Sequence, residues 1–163
     1  ADDPTVIVRL KEDHDGAEPA PNSVAVMNLI RLDWMLGTVG ARAKALATIE
    51  ALRPQWTRLP QALPQMLCAV EMALAEPRTV VLTGDPASAG FREMRTVLTA
   101  KLGLRRAVLC ADGAEGQVWL SARQTYLAAL PPTPGRTTAS VCENFTCKIP
   151  VDSPAALAAV LSD

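Results

Sequence analysis

Neither sign of charge accumulates in this sequence. Sixteen Lys and Arg stand against seventeen Asp and Glu, a formal charge of -1, and neither sign gathers into the run or stripe that a phosphate backbone would require. A nucleic-acid partner is not expected. Long apolar runs are missing as well: Asn28, Arg31 and Asp33 interrupt the first apolar region and Glu71 the second, so no membrane span is expected. Cysteine is sparse. Cys68, Cys110, Cys142 and Cys147 fall at apolar or strand-like positions, which predicts reduced thiols in a cytoplasmic protein rather than a secreted disulfide framework. The opening Ala1-Asp2-Asp3-Pro4 has no initiator Met, basic n-region or apolar h-region, and is expected to be an internal cut rather than a natural start or a signal peptide. Internal repeats, low-complexity tracts, nucleotide-binding glycine patterns and the G-x-S-x-G elbow are all missing.

What is present is apolar and falls into two textures. With 49% hydrophobic residues over 163 positions, the chain can build one ordinary core, or a helical segment joined to a small α/β unit. Residues 5–10 form a β-branched run expected to be a strand or extended arm. The acidic, Pro-rich loop from Glu12 to Pro21 follows. Asn22 or Ser23 can then cap a helix ending near Leu36, with Gly37 as its stop. A second helix is expected over roughly Val39–Leu52, with Val39, Ala43, Leu46, Ile49 and Leu52 on one side, ending before Pro54. A third is expected over roughly Leu63–Ala75. These helices make an antiparallel run.

From Arg78 the texture changes. Thr79–Thr83 predicts a buried strand, Gly84-Asp85-Pro86 a turn, Ala87–Leu102 a helix with Phe91, Met94, Leu98 and Leu102 on one face, and Ala107–Ala111 the next strand. Such a βαβ unit puts both strands in one parallel sheet. A weak strand is expected at Val118-Trp119-Leu120, a short helical stretch near Ala122–Leu130, a strand at Thr138–Cys142, and a closing helix over Ala155–Leu161 capped by Asp152 or Ser153. The fold class is therefore α/β overall: an N-terminal antiparallel helical segment followed by a small α/β domain with a mainly parallel sheet.

Three blocks carry a resemblance: Asp15-Gly16-Ala17-Glu18-Pro19-Ala20-Pro21-Asn22-Ser23, Val80-Val81-Leu82-Thr83-Gly84, and Val141-Cys142-Glu143-Asn144-Phe145-Thr146-Cys147. Together they resemble the C-terminal region of the spermatogenesis-associated protein 20-like family, whose long members join an N-terminal thioredoxin-like domain to an (α/α) barrel of the six-hairpin-glycosidase type. The resemblance implies that residues 1–76 are the last helices of the barrel and 77–163 a small α/β domain. It also implies that the chain's partner is the rest of a parent chain, thioredoxin-like domain and barrel included. The cut helices leave a homodimer of the fragment as a further expectation. A carbohydrate epimerase or isomerase activity of the parent follows only by analogy of fold.

The candidate catalytic residues are Asp15 and Glu18, with Asn22 as a substrate-binding residue. Paired carboxylates on a loop at one end of an (α/α) barrel can bind sugar hydroxyls or exchange a proton. The plainer reading makes them solvated loop acids beside a helix cap. Ala20 and Pro21 also depart from the Ser-Gly pair associated with this block. His14, the only histidine, lies among Glu12, Asp13 and Asp15 without a second His or a spaced Cys pair, so neither a metal nor another cofactor is expected. Cys142 and Cys147 are separated by four residues, wider than redox pairs or zinc knuckles, and a disulfide between them is geometrically possible if Asn144-Phe145 makes a turn. The preferred expectation is that Cys142 ends a buried strand and Phe145 anchors the following loop. The alternative is a thiol redox accessory exchanging electrons with the thioredoxin-like domain. A purely structural or interaction module is the third reading.

Overall fold

The computed structural model describes residues 5, 12–100, 103, 105–143 and 146–162. Residues 6–10 of the expected arm, Leu102 of the expected helix face and the anchoring role of Phe145 lie outside the described residues. The chain divides into two compact units, one made of Ala1–Ile30 with Gly40–Leu74 and the other of Arg31–Val39 with Ala75–Asp163.

Helix α1 (Pro21–Leu36) belongs to the first unit through Ile30 and to the second beyond it. Pro21 sits at its first position, where a missing N–H costs nothing. Gly37, at φ 60°, ends it with its N–H on the Asp33 carbonyl. Val26, Met27 and Ile30 are buried, while Val24 and Leu32 stay exposed.

The rest of the first unit is helical. Helix α2 (Ala41–Ala51) starts after Gly40, at φ 77°, and runs through Leu52 into α3 (Arg53–Arg58), in whose first turn Pro54 is tolerated. The expected apolar face of α2 is corrected. Val39 lies wholly in solvent and Leu46 is exposed, whereas Ala41, Ala45 and Ile49 are buried. Four-residue spacing stacks these three side chains in one row, and the small alanines permit close approach. Helix α4 (Pro64–Leu74) buries Met66, Ala69, Met72 and Ala73.

The second unit is a three-layer sandwich. Strands β1 (Arg78–Thr83), β2 (Arg106–Ala111), β3 (Thr138–Glu143) and β4 (Thr146–Cys147) form one sheet in the order β2-β1-β3-β4. The expectation of a mainly parallel sheet is corrected: β1 pairs parallel with β2, but β3 pairs antiparallel with both β1 and β4. The helical crossover makes the first pair parallel. β3 enters against β1 in the opposite sense, with Arg78 opposite Glu143 and Thr83 opposite Thr138.

Alternation along the strands gives each face its own core. Val80, Leu82, Ala139 and Val141 pack with Phe91, Met94 and Leu98 of α5 (Ala89–Thr99) and Leu157 of α7 (Pro154–Ser162). Val81, Leu109 and Ala111 pack on the other side with Leu127, with Met35, Leu120 and Leu130 partly buried against them. Ser88 caps α5 by accepting the Phe91 N–H, and Ser153 caps α7 by accepting the Ala156 N–H. Gly84, at φ 140°, is required where it stands, because a Cβ would lie 2.9 Å from the Arg136 carbonyl oxygen.

The expected strand at Val118-Trp119-Leu120 is instead part of helix α6 (Glu115–Ser121). Its start is fixed locally: Asp112 accepts the Ala114 N–H at 2.9 Å, and Gly113 donates to Gln117 Oε1 at 2.7 Å. The short 3-10 helix Thr125–Ala129 follows. No helix among the described residues is long and apolar enough to cross a membrane.

Candidate functional site

The acidic loop before α1 is held by one carboxylate. Asp15 accepts the Ala20 N–H on Oδ1 at 2.7 Å and, on Oδ2, the N–H groups of Gln65 at 2.8 Å and Met66 at 3.4 Å. Its own N–H donates to the Ala62 carbonyl at 2.7 Å. The need for this arrangement is local. Leu63 precedes α4 and offers no side-chain acceptor, and Pro64 has no N–H, so the free donors at this helix start are those of Gln65 and Met66. Asp15 reaches them from fifty positions away and also sets a negative charge against the positive end of the helix dipole.

The candidate residues thus separate. Both oxygens of Asp15 are occupied by backbone donors, which makes it the residue that positions the loop. Glu18 is exposed, and among the described residues no hydrogen bond joins its side chain to Asp15 or to any other group. Asn22 lies within α1 rather than capping it, and its Nδ2 donates to the Glu12 carbonyl at 2.9 Å, tying the two ends of the loop. His14 is exposed, with Nδ1 3.6 Å from Asp13 Oδ1. Behind the loop, Ser23 is fully buried with no hydrogen-bond partner for its hydroxyl among the described residues. Gln65 Nε2 also meets Met27 Sδ.

In the second unit the preferred expectation of four free thiols is corrected. Cys142 and Cys147 are joined by a disulfide. The physical reason is strand β4, which was not expected from sequence: it folds back on β3 so that Cys142 and Cys147 sit directly opposite, with Cα atoms 3.9 Å apart. The two cysteines therefore sit on paired strands rather than at the ends of a wide spacer. Cys68 and Cys110 are free and half-buried. Burial pushes the Cys110 thiol above its ordinary range, and Asp112 adds to the shift.

A cleft of about 590 Å³ in this unit is lined by Glu76, Arg78, Arg105, Arg106, Glu143 and Leu161 among others. Its cations have structural work to do. Arg106 donates to the Leu98 carbonyl at 2.5 Å and Arg78 to the Leu161 carbonyl at 3.5 Å, each in the last turn of a helix, where positive charge is favourable. Arg78 Nε also lies 2.6 Å from Glu143 Oε1, its directly opposite neighbour on β3. Sequence reasoning missed this cluster, because it depends on the β1–β3 register. It likewise missed Gln117, 7% exposed, whose Nε2 donates to the carbonyls of Leu127 and Leu130 at 2.9 and 3.2 Å.

Comparison with known proteins gives relatives along nearly the whole chain. Human spermatogenesis-associated protein 20 is 30% identical over 154 residues, 94% of this chain and 20% of the human protein. The rat protein of that name is also 30% identical over 154 residues, covering 19% of its own length. An uncharacterized protein of Caenorhabditis elegans is 34% identical over 149 residues, 91% of this chain and 20% of the worm protein. No family model matches the chain, and no solved structure matches it. The chain spans about a fifth of the length of these relatives. Over that fifth, this chain belongs to the spermatogenesis-associated protein 20 family.

Proposed function

We propose that this chain is the closing region of a longer protein, in which residues 1–76 complete an (α/α) barrel and residues 77–163 form an α/β unit that supports it. Relatives about five times as long and the helical make-up of the first unit support this reading. The parent's reaction, on the same proposal, is acid–base chemistry on a carbohydrate of the epimerase or isomerase kind, and Glu18 is the group this chain contributes. One observation carries the choice: of the three candidate residues, Asp15 and Asn22 are committed to holding the loop, which leaves Glu18 as an exposed carboxylate without a partner among the described residues. Such a reaction needs one group to remove a carbon-bound proton and another to return it. The second group would come from the remainder of the barrel.

The test is turnover of a panel of aldoses and ketoses by the full-length protein, followed by NMR beside the Glu18→Gln variant. The amide keeps the shape of the side chain and removes its proton-transfer capacity. Loss of turnover by about 10²–10⁴ is expected. A folded parent that converts no sugar, or a variant as fast as its parent, overturns the reading.

A further inference from the structure

The hairpin formed by β3 and β4 has two dissimilar ends to its disulfide. Cys142 is 7% exposed within β3, whereas Cys147 lies on the edge strand, where Thr146, Lys148, Ile149 and Pro150 are exposed as well. We propose that Cys142–Cys147 is a thiol–disulfide exchange site that takes a dithiol, with Cys147 as the sulfur attacked. This stands apart from the role assigned to Glu18, from which it borrows nothing.

The exchange balances as follows. A thiolate of the dithiol attacks Cys147 Sγ, the Cys142–Cys147 bond breaks, and its electron pair leaves on Cys142 Sγ, which takes a proton. The dithiol's second thiol gives up its proton and attacks its partner sulfur in the mixed disulfide, releasing Cys147, which is protonated in turn. Two electrons pass to the hairpin. The dithiol departs as a disulfide, and the chain is left with two thiols.

Three observations favour exchange over a purely structural bridge. First, the half-cystines are only five positions apart, so the bond closes a very short loop and constrains the unfolded chain little. Second, the edge segment keeps other anchors on β3. Lys148 donates to the Val141 carbonyl at 2.9 Å, and Ala139 and Val151 exchange both of their backbone hydrogen bonds, at 2.7 and 2.9 Å. Reduction therefore leaves the strand in place for reoxidation. Third, Cys110 does not compete for Cys142. It packs on the sheet face that carries Val80 and Leu82, whereas Cys142 lies opposite Thr79, whose side chain points to the other face.

The same geometry selects a dithiol over a monothiol. A monothiol joined to Cys147 faces Cys142 directly across the hairpin, and the intramolecular return expels it. Only a second thiol on the attacking molecule resolves the mixed disulfide forward.

The experiment uses differential alkylation of the full-length protein, followed by tryptic mass spectrometry. Residues 137–148 lie between two cleavage sites, Arg136 and Lys148, so one peptide carries both sulfurs. Without reductant, even in denaturant, this peptide should carry no label. Native protein treated with dithiothreitol should carry two labels, and glutathione at equal thiol concentration should act roughly tenfold or more slowly. A reduced Cys-x-x-Cys protein, reacting faster per dithiol than dithiothreitol, would assign the dithiol to a protein, and an equal rate to a small molecule. Two labels without reductant, reduction only after unfolding, or equal rates for the dithiol and the monothiol would each overturn the proposal. As a check on polarity, Cys147 in the Cys142→Ser variant should react with an aromatic disulfide reagent roughly tenfold faster than Cys142 in Cys147→Ser. The reverse order would overturn the assignment of Cys147, while the wild-type measurements stand without either variant.

Discussion

The two units reach a stable interior by different routes. In the second unit β-branched and large aliphatic residues alternate along strands, and each sheet face meets its own layer: Val80, Leu82 and Val141 against α5 and α7, Val81 and Leu109 against Leu127. The first unit buries mostly small or flexible residues, Ala20, Ala41, Ala45, Ala69 and Ala73 with Met27, Met66 and Met72. Polar tethers supplement that interior. Asp15 ties the loop to α4, and Arg42 donates to the Ala73 carbonyl at 2.9 Å. Trp56 Nε1 donates to the Ile49 carbonyl at 3.1 Å. Where the interior is shaped by alternation, the sheet register specifies the contacts. Where it is shaped by alanine and methionine, single hydrogen bonds fix the loops.

The sharpest way to break this comparison is to delete the same side chain in both units. Leu82, 2% exposed at the centre of the sheet, should lose about 2–5 kcal/mol on substitution by Ala, whereas Leu74, 82% exposed at the end of α4, should change stability by no more than about 0.5 kcal/mol. Urea unfolding of both variants of this chain measures the difference. Equal losses would mean that burial of Leu82 in the sheet core adds nothing to stability.

A smaller effect is expected from the first unit's tether. Asp15→Ala removes the acceptor for two N–H groups at the start of α4 and for that of Ala20, at a cost of about 1–3 kcal/mol. Asp15→Asn, which keeps one acceptor oxygen, should recover part of it. Hydrogen exchange at the Gln65 and Met66 amides reports the change directly. Unaltered protection in Asp15→Ala would remove the residue from its positioning role.

The legible parts of this chain follow the same division. The βαβ segment could be read from sequence because Phe91, Met94 and Leu98 keep helical spacing between two short β-branched runs, whereas the register that sets Val80 opposite Val108 came only with the structure. α6 was misread because Val118-Trp119-Leu120 is apolar, and its helical start depends on the side chains of Asp112 and Gln117, which hydropathy does not register. β4 was missed because two exposed residues carry no periodicity, and without it free thiols were preferred to the disulfide that the structure contains. In the candidate loop the residue types were legible, but their roles were not. The partners of Asp15 at Gln65 and Met66 are long-range, and only folding showed that one acid is engaged while the other has no side-chain partner among the described residues.

The smallest expected effect concerns alkaline pH and falls on the second unit. Burial raises the Tyr126 hydroxyl above its ordinary value of 10.0, and burial followed by the charge of Asp112 raises the Cys110 thiol above 9.0. Both groups are acids whose folded values exceed their unfolded ones, so between the two values the unfolded chain binds fewer protons than the folded chain. The slope of unfolding free energy with pH is then negative. Their contribution is complete below about pH 9 and declines as pH rises through the folded values. Both side chains keep partial access to solvent, which holds the decline below the effects of Leu82→Ala and Asp15→Ala. Urea titrations from pH 7 to 11 should show the wild-type chain losing stability above pH 9, with Cys110→Ala starting its decline later because only Tyr126 then contributes. A stability that rises over this interval would overturn both contributions, whereas a Cys110→Ala profile parallel to the wild type would take the thiol out of the account and leave burial of the Tyr126 hydroxyl as the remaining alkaline contribution.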